Sequence, residues 1–600
     1  MGFDHPIRRG KPVPISTLRV VASLGVACCF LLSACNRSST APTPAPGKTA
    51  VRKKSNTIDI PPLFRDATQE WELDFKYEAG SMTDFFFPAI MGGGAAFLDY
   101  DNDGDLDVYL VNGNDKRLGD KSTNNLTNQL FKQEDGKFTN ATDGSGLDDS
   151  GFGMGVAVGD VNNDGFVDVY VTNYEADQLF LNQKDGSFRN ITQQAGIDNS
   201  RWGVSATFLD YDRDGWLDLY VTNYVNFFPS RQCKNRGGKL DFCGPSAFAG
   251  TVDKLYRNLG KQDDGQVRFA DVTVTAGIAK KPGPGLGVVA EDFNSDGWPD
   301  IYVANDGDAN FLWINQKNGT FTDEAIFRGA AYDGQGKAQA GMGVALGDLN
   351  ADGAFDLLVT HLAGESNAIY LNEDNEFNEK SIAYGMGVSS FQSTGFGVAL
   401  LDLEHDGDED VLISNGRVRR NLSLDDDNVP FNDYYAEHNQ YFLRNSKGKF
   451  ELVQSEDKFL KEKEISRALC IGDVDNDGDL DALIVNLTGS AKLYLNEAEK
   501  KGQSRVIDVR ESDLLGNRTA YGAMAQLKYK MSGESHVHVR RINPGSSYCA
   551  SHDPRIHFGV PNEAEDLQLE IQWPNGDRES FPIDDAPTAT LIHGKGEKLE

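Results

Sequence analysis

The chain is predicted to be all-β, a seven-bladed β-propeller followed by a small C-terminal β-domain. Three observations predict it. A loop of the form D-x-[D/N/E]-x-D-G-x-x-D recurs seven times, its first Asp at 99, 160, 210, 292, 348, 402 and 473. Each copy lies between two short apolar, β-branched runs, such as Gly-Val-Ala-Val-Gly before Asp160 and Val-Asp-Val-Tyr-Val-Thr-Asn after Phe166, which read as strands joined by a hairpin. A second signature, roughly [N/D]-x-L-[F/Y/W]-x-N, follows many of the loops. It ends at Asn182, Asn258, Asn315, Asn372 and Asn496, and several copies then turn through Gly into another strand. Four short strands in each repeat of about fifty to sixty residues are the mark of propeller blades.

The elements follow in chain order. Arg8, Arg9, Lys11 and Arg19 precede an apolar stretch from Val20 to Leu32, a signal peptide by charge and length and too short for a membrane span. It ends Leu32-Ser33-Ala34-Cys35, similar to a bacterial lipobox, which implies cleavage before Cys35 and a lipid on its thiol. Asn36 at the next position favours the outer membrane. An ordinary secretory peptide with a coincidental Cys is the alternative. Residues 1–34 are thus expected to be leader and 35–57, rich in Pro, Ser, Thr and Lys, a solvated tether. Residues 58–497 are expected to form the propeller, with the strand around Trp71 to Tyr77 completing the last blade. Two long intervals carry insertions, Phe227 to Gly250 and Leu422 to Glu437. The loops stop after Asn496, and 498–600 is expected to be a separate β-module, with apolar alternation at 523–529 and 567–573.

The loops read as calcium sites, up to seven Ca2+ in all. Calcium takes six to eight oxygens at flexible geometry. The candidate ligands are Asp99, Asp101, Asp103, Asp105 and Asp107 in the first loop, Asp160, Asn162, Asp164, Phe166 and Asp168 in the second, and Asp210, Asp212, Asp214, Trp216 and Asp218 in the third. In the fourth and fifth they are Asp292, Asn294, Asp296, Trp298 and Asp300, then Asp348, Asn350, Asp352, Ala354 and Asp356. In the sixth and seventh they are Asp402, Glu404, Asp406, Asp408 and Asp410, then Asp473, Asp475, Asp477, Asp479 and Asp481. Positions 1, 3 and 5 put side-chain oxygens on one concave side and Gly at position 6 allows the turn. Position 7 offers its carbonyl, so its identity varies, and the Asp at position 9 closes the cage. These are not EF-hands, which have Glu at position 12 and helices on both sides. An Asp/Gly turn with no ion is the alternative, but clustered carboxylates repel unless a cation sits among them. The ions would serve chiefly to pin hairpins. Extracellular modules bind calcium at roughly 10⁻⁴ to 10⁻³ M, so ambient calcium keeps such sites filled and switching is not expected.

The formal net charge is −33. Seven divalent ions would add 14 positive charges and bring it to about −19. An acidic chain of this kind argues against nucleic acid or an anionic membrane as partner, apart from a lipid anchor on Cys35. Of the seven cysteines, Cys28, Cys29 and Cys35 lie in the leader region, Cys233 and Cys243 are expected to be bonded to each other in an oxidising compartment, and the pairing of Cys470 and Cys549 is open.

The Asp loops with their Gly-x-Gly leaders resemble FG-GAP/VCBS repeats, the propeller blades also found in integrin α heads. Asn517-Arg-Thr-Ala-Tyr-Gly-Ala523, Ser546-Ser-Tyr-Cys-Ala-Ser551, His557-Phe-Gly559 and Trp573-Pro-Asn-Gly576 resemble the ASPIC/UnbV domain. Together they look like the cartilage acidic protein 1-like family in bacterial lipoprotein form. Glu404 at loop position 3 and Cys549, where a polar residue such as Gln is expected, depart from the pattern. The resemblance implies calcium binding and extracellular interaction and no known reaction.

The sequence holds no Gly-x-Ser-x-Gly elbow, His-Glu-x-x-His motif or Walker loop, so no catalytic residue is assigned. His536 and His538 share one strand face, either a zinc pair or a solvated face, and His557 reads as a packed His rather than a base. The leading expectation is a surface binding module for a protein or glycan partner. A polysaccharide-acting enzyme using the propeller's mouth and a structural part of an envelope assembly are the alternatives.

Overall fold

A computed structural model describes residues 57–113, 126–421, 428–511, 518–583 and 586–599. The expected leader, Cys35 and the tether up to residue 56 lie outside the described residues, as do 422–427 of the acidic insertion and Asn517.

The Asp loops join the first two strands of successive four-stranded antiparallel sheets. The second sheet shows the plan, with strands Phe152–Gly159, Asp168–Tyr174, Gln178–Asn182 and Phe188–Asn190 in spatial sequence. The innermost strands are Ala95–Leu98, Phe152–Gly159, Gly203–Leu209, Gly285–Glu291, Val344–Gly347, Gly395–Leu401 and Ser466–Gly472. Each touches the next and the last touches the first, so the sheets stand in a closed ring, a β-propeller. The inner strands crowd at the axis, which explains the Gly-x-Gly leaders. A Cβ on Gly155 would fall 2.4 Å from the carbonyl oxygen of Val204, and one on Gly343 would fall 2.1 Å from that of Phe396.

The chain's N-terminal part closes the ring, but not with the segment expected. Phe64–Asp66 supplies the outer strand of the seventh sheet, antiparallel to Lys492–Asn496. Trp71 to Tyr77 alternates buried and exposed as a strand would, yet its one ladder contact is a single bridge from Lys76 to Ser490. Its buried side chains Trp71, Leu73, Phe75 and Tyr77 belong to the large apolar cluster that includes the inner strands. Thr57–Asp59 adds a fifth strand to the sixth sheet, parallel to Phe450–Gln454.

The C-terminal residues form two sheets, one of Gly502–Arg510, Ile556–Pro561 and Thr588–Ile592, the other of Met524–Met531, Glu534–Arg541, Glu565–Gln572, Arg578–Phe581 and Glu597–Lys598. Leu527, Phe558, Leu569, Ile571 and Trp573 fill the space between them. This part is not detached from the ring. Residues 54–600 form one compact unit, and residues 545–551 leave the module to enter the propeller's axis. Ala550–Ser551 pairs parallel with Ala95–Ala96 and Gly545–Ser546 pairs with it in turn, so the first sheet has six strands. Ser547 exchanges backbone hydrogen bonds with Val344, and its Oγ accepts from Val398 N at 3.0 Å. Cys549 N donates to Ser205 Oγ at 3.1 Å, and Ser551 Oγ accepts from Val158 N at 3.3 Å. Buried Tyr548 packs edge-on against Phe396 and donates to the Met91 carbonyl at 2.7 Å, meeting a 3₁₀ turn, Phe87–Ile90, that enters the same core. Among the described residues, Tyr548, Phe396 and the turn at 87–90 thus fill the propeller's axis with side chains.

Cys233 and Cys243 form a disulfide in the first insertion, whereas Cys470 and Cys549 are both buried free thiols.

Candidate metal centres

All seven loops share one backbone. Position 4 is left-handed in each, with φ between 54° and 60° at Asn102, Asn163, Arg213, Ser295, Ala351, His405 and Asn476, and the Gly at position 6 has φ between 86° and 94°. Only Gly takes the latter without strain. The Asp at position 1 organises the turn. In the first six loops its carboxylate accepts from the backbone N–H groups of positions 5 and 6, as Asp210 does from Asp214 and Gly215 at 3.0 and 2.9 Å. In the seventh, Asp473 keeps only the bond from Gly478, at 3.2 Å.

The Asp at position 9 is buried in every copy. Its Oδ2 accepts from the N–H of position 2, and its Oδ1 accepts from a backbone N–H on the third strand. Asp218, for example, receives Tyr211 N at 3.1 Å and Asn258 N at 2.7 Å. The residue that donates this bond is, in five of the sheets, the last Asn of the second signature, which gives that signature its meaning. The same Asn turns its amide onto the position-2 carbonyl of the preceding sheet's loop: Asn182 onto Tyr100, Asn258 onto Val161, Asn315 onto Tyr211, Asn372 onto Phe293 and Asn496 onto Leu403, at 2.8 to 3.1 Å. Gln133 does so to Val474 and Arg444 to Leu349, completing the circuit. These two escaped the sequence reading because neither is Asn. A longer donor in the same register was the only signal.

Three loops bring carboxylate oxygens of positions 1, 3 and 9 within 4.8 Å of one another: Asp99, Asp101 and Asp107; Asp210, Asp212 and Asp218; Asp473, Asp475 and Asp481. The side chains fit a hard cation. The Oδ1 atoms of Asp101, Asn162, Asp212 and Asp473, at positions 3 or 1, are buried with no protein partner, and buried oxygens of this kind are costly unless something donates to or coordinates them. Burial raises the Asp99, Asp160 and Asp210 carboxyls to about 6 and those of Asp107, Asp300 and Asp356 to about 8. Without a cation, packing thus works against their charge.

The loops are not equivalent. Lys132 lies 2.7 Å from Asp101 and 3.3 Å from Asp103, and Arg257 lies 2.5 Å from Asp212 and 3.0 Å from Asp214. Lys184 and Lys317 reach only position 5, Asp164 and Asp296, at 3.3 and 3.4 Å. In the sixth loop, where Glu404 replaces Asp or Asn, the Lys501 ammonium contacts Glu404 and stands 2.8 Å from Asp406. His536 and His538 share one strand face, each partly buried. Both rings stack against Tyr529, whose hydroxyl hydrogen-bonds His538 Nε2 at 2.8 Å. His557 is buried against the Gly478 carbonyl at 2.9 Å.

The C-terminal module sits on the loop face. Arg541 pairs with Glu291, Arg540 with Glu409 at 2.9 Å, Lys500 with Asp479 at 2.5 Å, and Arg518 bonds Asn163 and the Gly215 carbonyl. Among the described residues no helix is long and apolar enough to cross a membrane.

The FG-GAP-like repeat model matches residues 99–171, 160–221, 292–359 and 348–413, and the ASPIC and UnbV model matches 514–595. Cartilage acidic protein 1 of Mus musculus is 27% identical over 321 residues, 52% of this chain and 45% of that protein. The Xenopus tropicalis protein is 27% identical over 345 residues, 56% of this chain and 47% of that protein. The matched region is thus about half the length of these curated relatives. Among solved structures, an Agrocybe aegerita lectin that recognises non-reducing terminal N-acetylglucosamine is 14% identical, with a TM-score of 0.35 over 62% of this chain and 88% of that one.

Proposed function

We propose that this chain, which carries FG-GAP-like repeats and an ASPIC and UnbV domain and is homologous to cartilage acidic protein 1, is a calcium-stapled extracytoplasmic binding module for a protein or glycan partner. The buried oxygens of Asp101, Asn162, Asp212 and Asp473 carry the calcium part. An oxygen-only donor set at positions 1, 3, 5, 7 and 9 suits calcium rather than a softer metal. A bound ion would supply the positive charge that lets these packed carboxyls ionise. The first, third and seventh loops are the strongest sites, by their clustered carboxylates. A Lys or Arg already meets two of the ligands in the first, third and sixth loops alike, so a bound ion would compete with a side-chain cation in each. The Leu-Ser-Ala-Cys35 sequence supports a lipid anchor outside the cytoplasm, on the outer membrane or cell surface. A binding role fits better than catalysis at the propeller's mouth, since Tyr548 and the 3₁₀ turn at 87–90 fill the axis.

The test is thermal melting of the leaderless chain in millimolar calcium and in chelator. A midpoint many degrees lower in chelator is expected. An unchanged midpoint means that the loops are ion-free turns.

A further inference from the structure

The module does not close fully over the loop face, and one of the gaps lies over the first two loops. There a cleft of about 600 Å³ separates the loop tips, Asn102 to Asp105 and Gly165 to Val167, from the module's strand edge at Thr588 to Thr590. That volume lies in the range of small-molecule sites, which favour domain interfaces. The edge is genuine, since Thr588–Ile592 pairs with Gly502–Arg510 on one side only and Thr588, Ala589 and Thr590 are exposed.

The cleft mixes both signs of charge with apolar wall. Asp508 and Arg510 stand together in it, with Arg510 Nε donating to Asp508 Oδ2 at 2.5 Å. Among the described residues, the second oxygen of Asp508 and both terminal nitrogens of Arg510 have no hydrogen-bond partner. Arg518 Nε, buried at the cleft's side, also has none. Acceptor and donor groups thus share the cleft with the apolar surface of Phe166, Pro587 and Ala589. Six Asp, Asp105 and Asp508 among them, line the cleft against Arg510, Arg518 and Arg555, and a divalent ion in each of the two loops would roughly balance these charges, so the calcium-loaded wall favours neither an anion nor a cation. A hydroxyl both donates and accepts, so a neutral polyhydroxylated chain satisfies both kinds of group without a net charge and lays its C–H faces on the apolar wall.

We infer that the cleft between the first two Asp loops and the C-terminal module binds a neutral oligosaccharide, held by Asp508 and Arg510. This rests on the reading of the protein as an extracytoplasmic binding module and names the ligand class and the site.

The test uses the calcium-loaded leaderless chain on an array of neutral oligosaccharides beside sulfated and uronate-bearing ones, with calorimetry on the best binder. Binding to a neutral oligosaccharide is expected, weakened at least tenfold in both Asp508→Asn and Arg510→Gln. Ala589→Trp, at an exposed position that fills the cleft from its rim, should abolish binding while leaving the melting midpoint within a degree or two. Lys261→Ala, on the outer strands away from the cleft, should bind as the parent does. No neutral binder, binding confined to the anionic sugars, or binding indifferent to all three cleft variants overturns the proposal. The calcium melt separates the two readings. A calcium-stabilised chain that binds no neutral sugar loses only the cleft assignment, whereas sugar binding with no calcium shift loses only the metal loops.

Discussion

The Asp at loop position 9 does two jobs that position 3 does not. Asp218 is a candidate ligand and also the acceptor that ties the second and third strands together, through Tyr211 N and Asn258 N. Asp212 has an oxygen with no protein partner and a half-exposed Arg257 beside it. Asp212→Asn, the residue three other loops already carry at this position, should change stability in chelator by less than about 0.5 kcal/mol while reducing the calcium-induced shift. Asp218→Asn should cost about 1.5–3 kcal/mol even in chelator, because a donor replaces one charged acceptor. Urea melts with and without calcium check both. A second single-residue effect concerns pH. Burial lowers His552 to about 4, and its Nδ1 accepts from Ile471 N at 3.0 Å. Between the usual value of 6.5 and that figure the unfolded chain takes up a proton that the folded chain refuses. The contribution is therefore full above pH 6.5 and lost as pH falls towards 4, about 3 kcal/mol at most. His552→Asn keeps the acceptor and removes the titration, so its melting midpoint should fall less than the parent's between pH 6.5 and 4.5. Equal slopes would assign the acid sensitivity to other groups.

At the scale of elements, the sequence was most legible where one residue type has to recur. The loops show through because three separate demands fall on the same nine positions: a carboxylate at 1, Gly at 6 and a buried Asp at 9. The terminal Asn of the second signature was visible as a pattern, but its task of crossing to the neighbouring loop was not. Asn315→Ala removes donors to Tyr211 and Pro299 carbonyls and the acceptor for Lys317 N. It should cost about 2 kcal/mol without changing calcium affinity by more than severalfold, as denaturant unfolding and calcium titration can measure. The closing strand was misread for a physical reason. Trp71, Leu73, Phe75 and Tyr77 alternate with charged residues, and alternation reports one buried face rather than a hydrogen-bonded neighbour. The true partner, Phe64-Arg-Asp66, is three residues long and has no period to detect.

For the molecule as a whole, the least legible feature is also the most consequential for stability. Nothing in Ser546-Ser-Tyr-Cys-Ala-Ser551 announces that it leaves its own module to pair with residues some 450 positions earlier. A strand of two residues gives no signal, and its environment is assembled entirely by others. The C-terminal module has its own core, and only its residues 545–551 extend into the propeller's. Tyr548→Ala should cost about 3–5 kcal/mol by cavity formation and loss of the bond to Met91. A chain ending at Ala498 should lack a cooperative melting transition, because Phe396 and the inner strands lose their cover. A sharp transition in that fragment, seen by calorimetry, would show that the ring stands without its axial segment.

The positions of the two ends also dictate when the protein can exist. Phe64–Asp66 waits for Lys492–Asn496, and Ala95–Ala96 waits for Ala550–Ser551, so the earliest strands made have partners made last. At ordinary rates of synthesis that interval is roughly 20 to 90 seconds, during which the first sheet presents an unpaired, apolar edge. Such pairings are slow to form and prone to wrong associations in the meantime. The nascent chain is thus a natural client for holding factors, and a truncated product of translation should be cleared rather than accumulate as a smaller folded species.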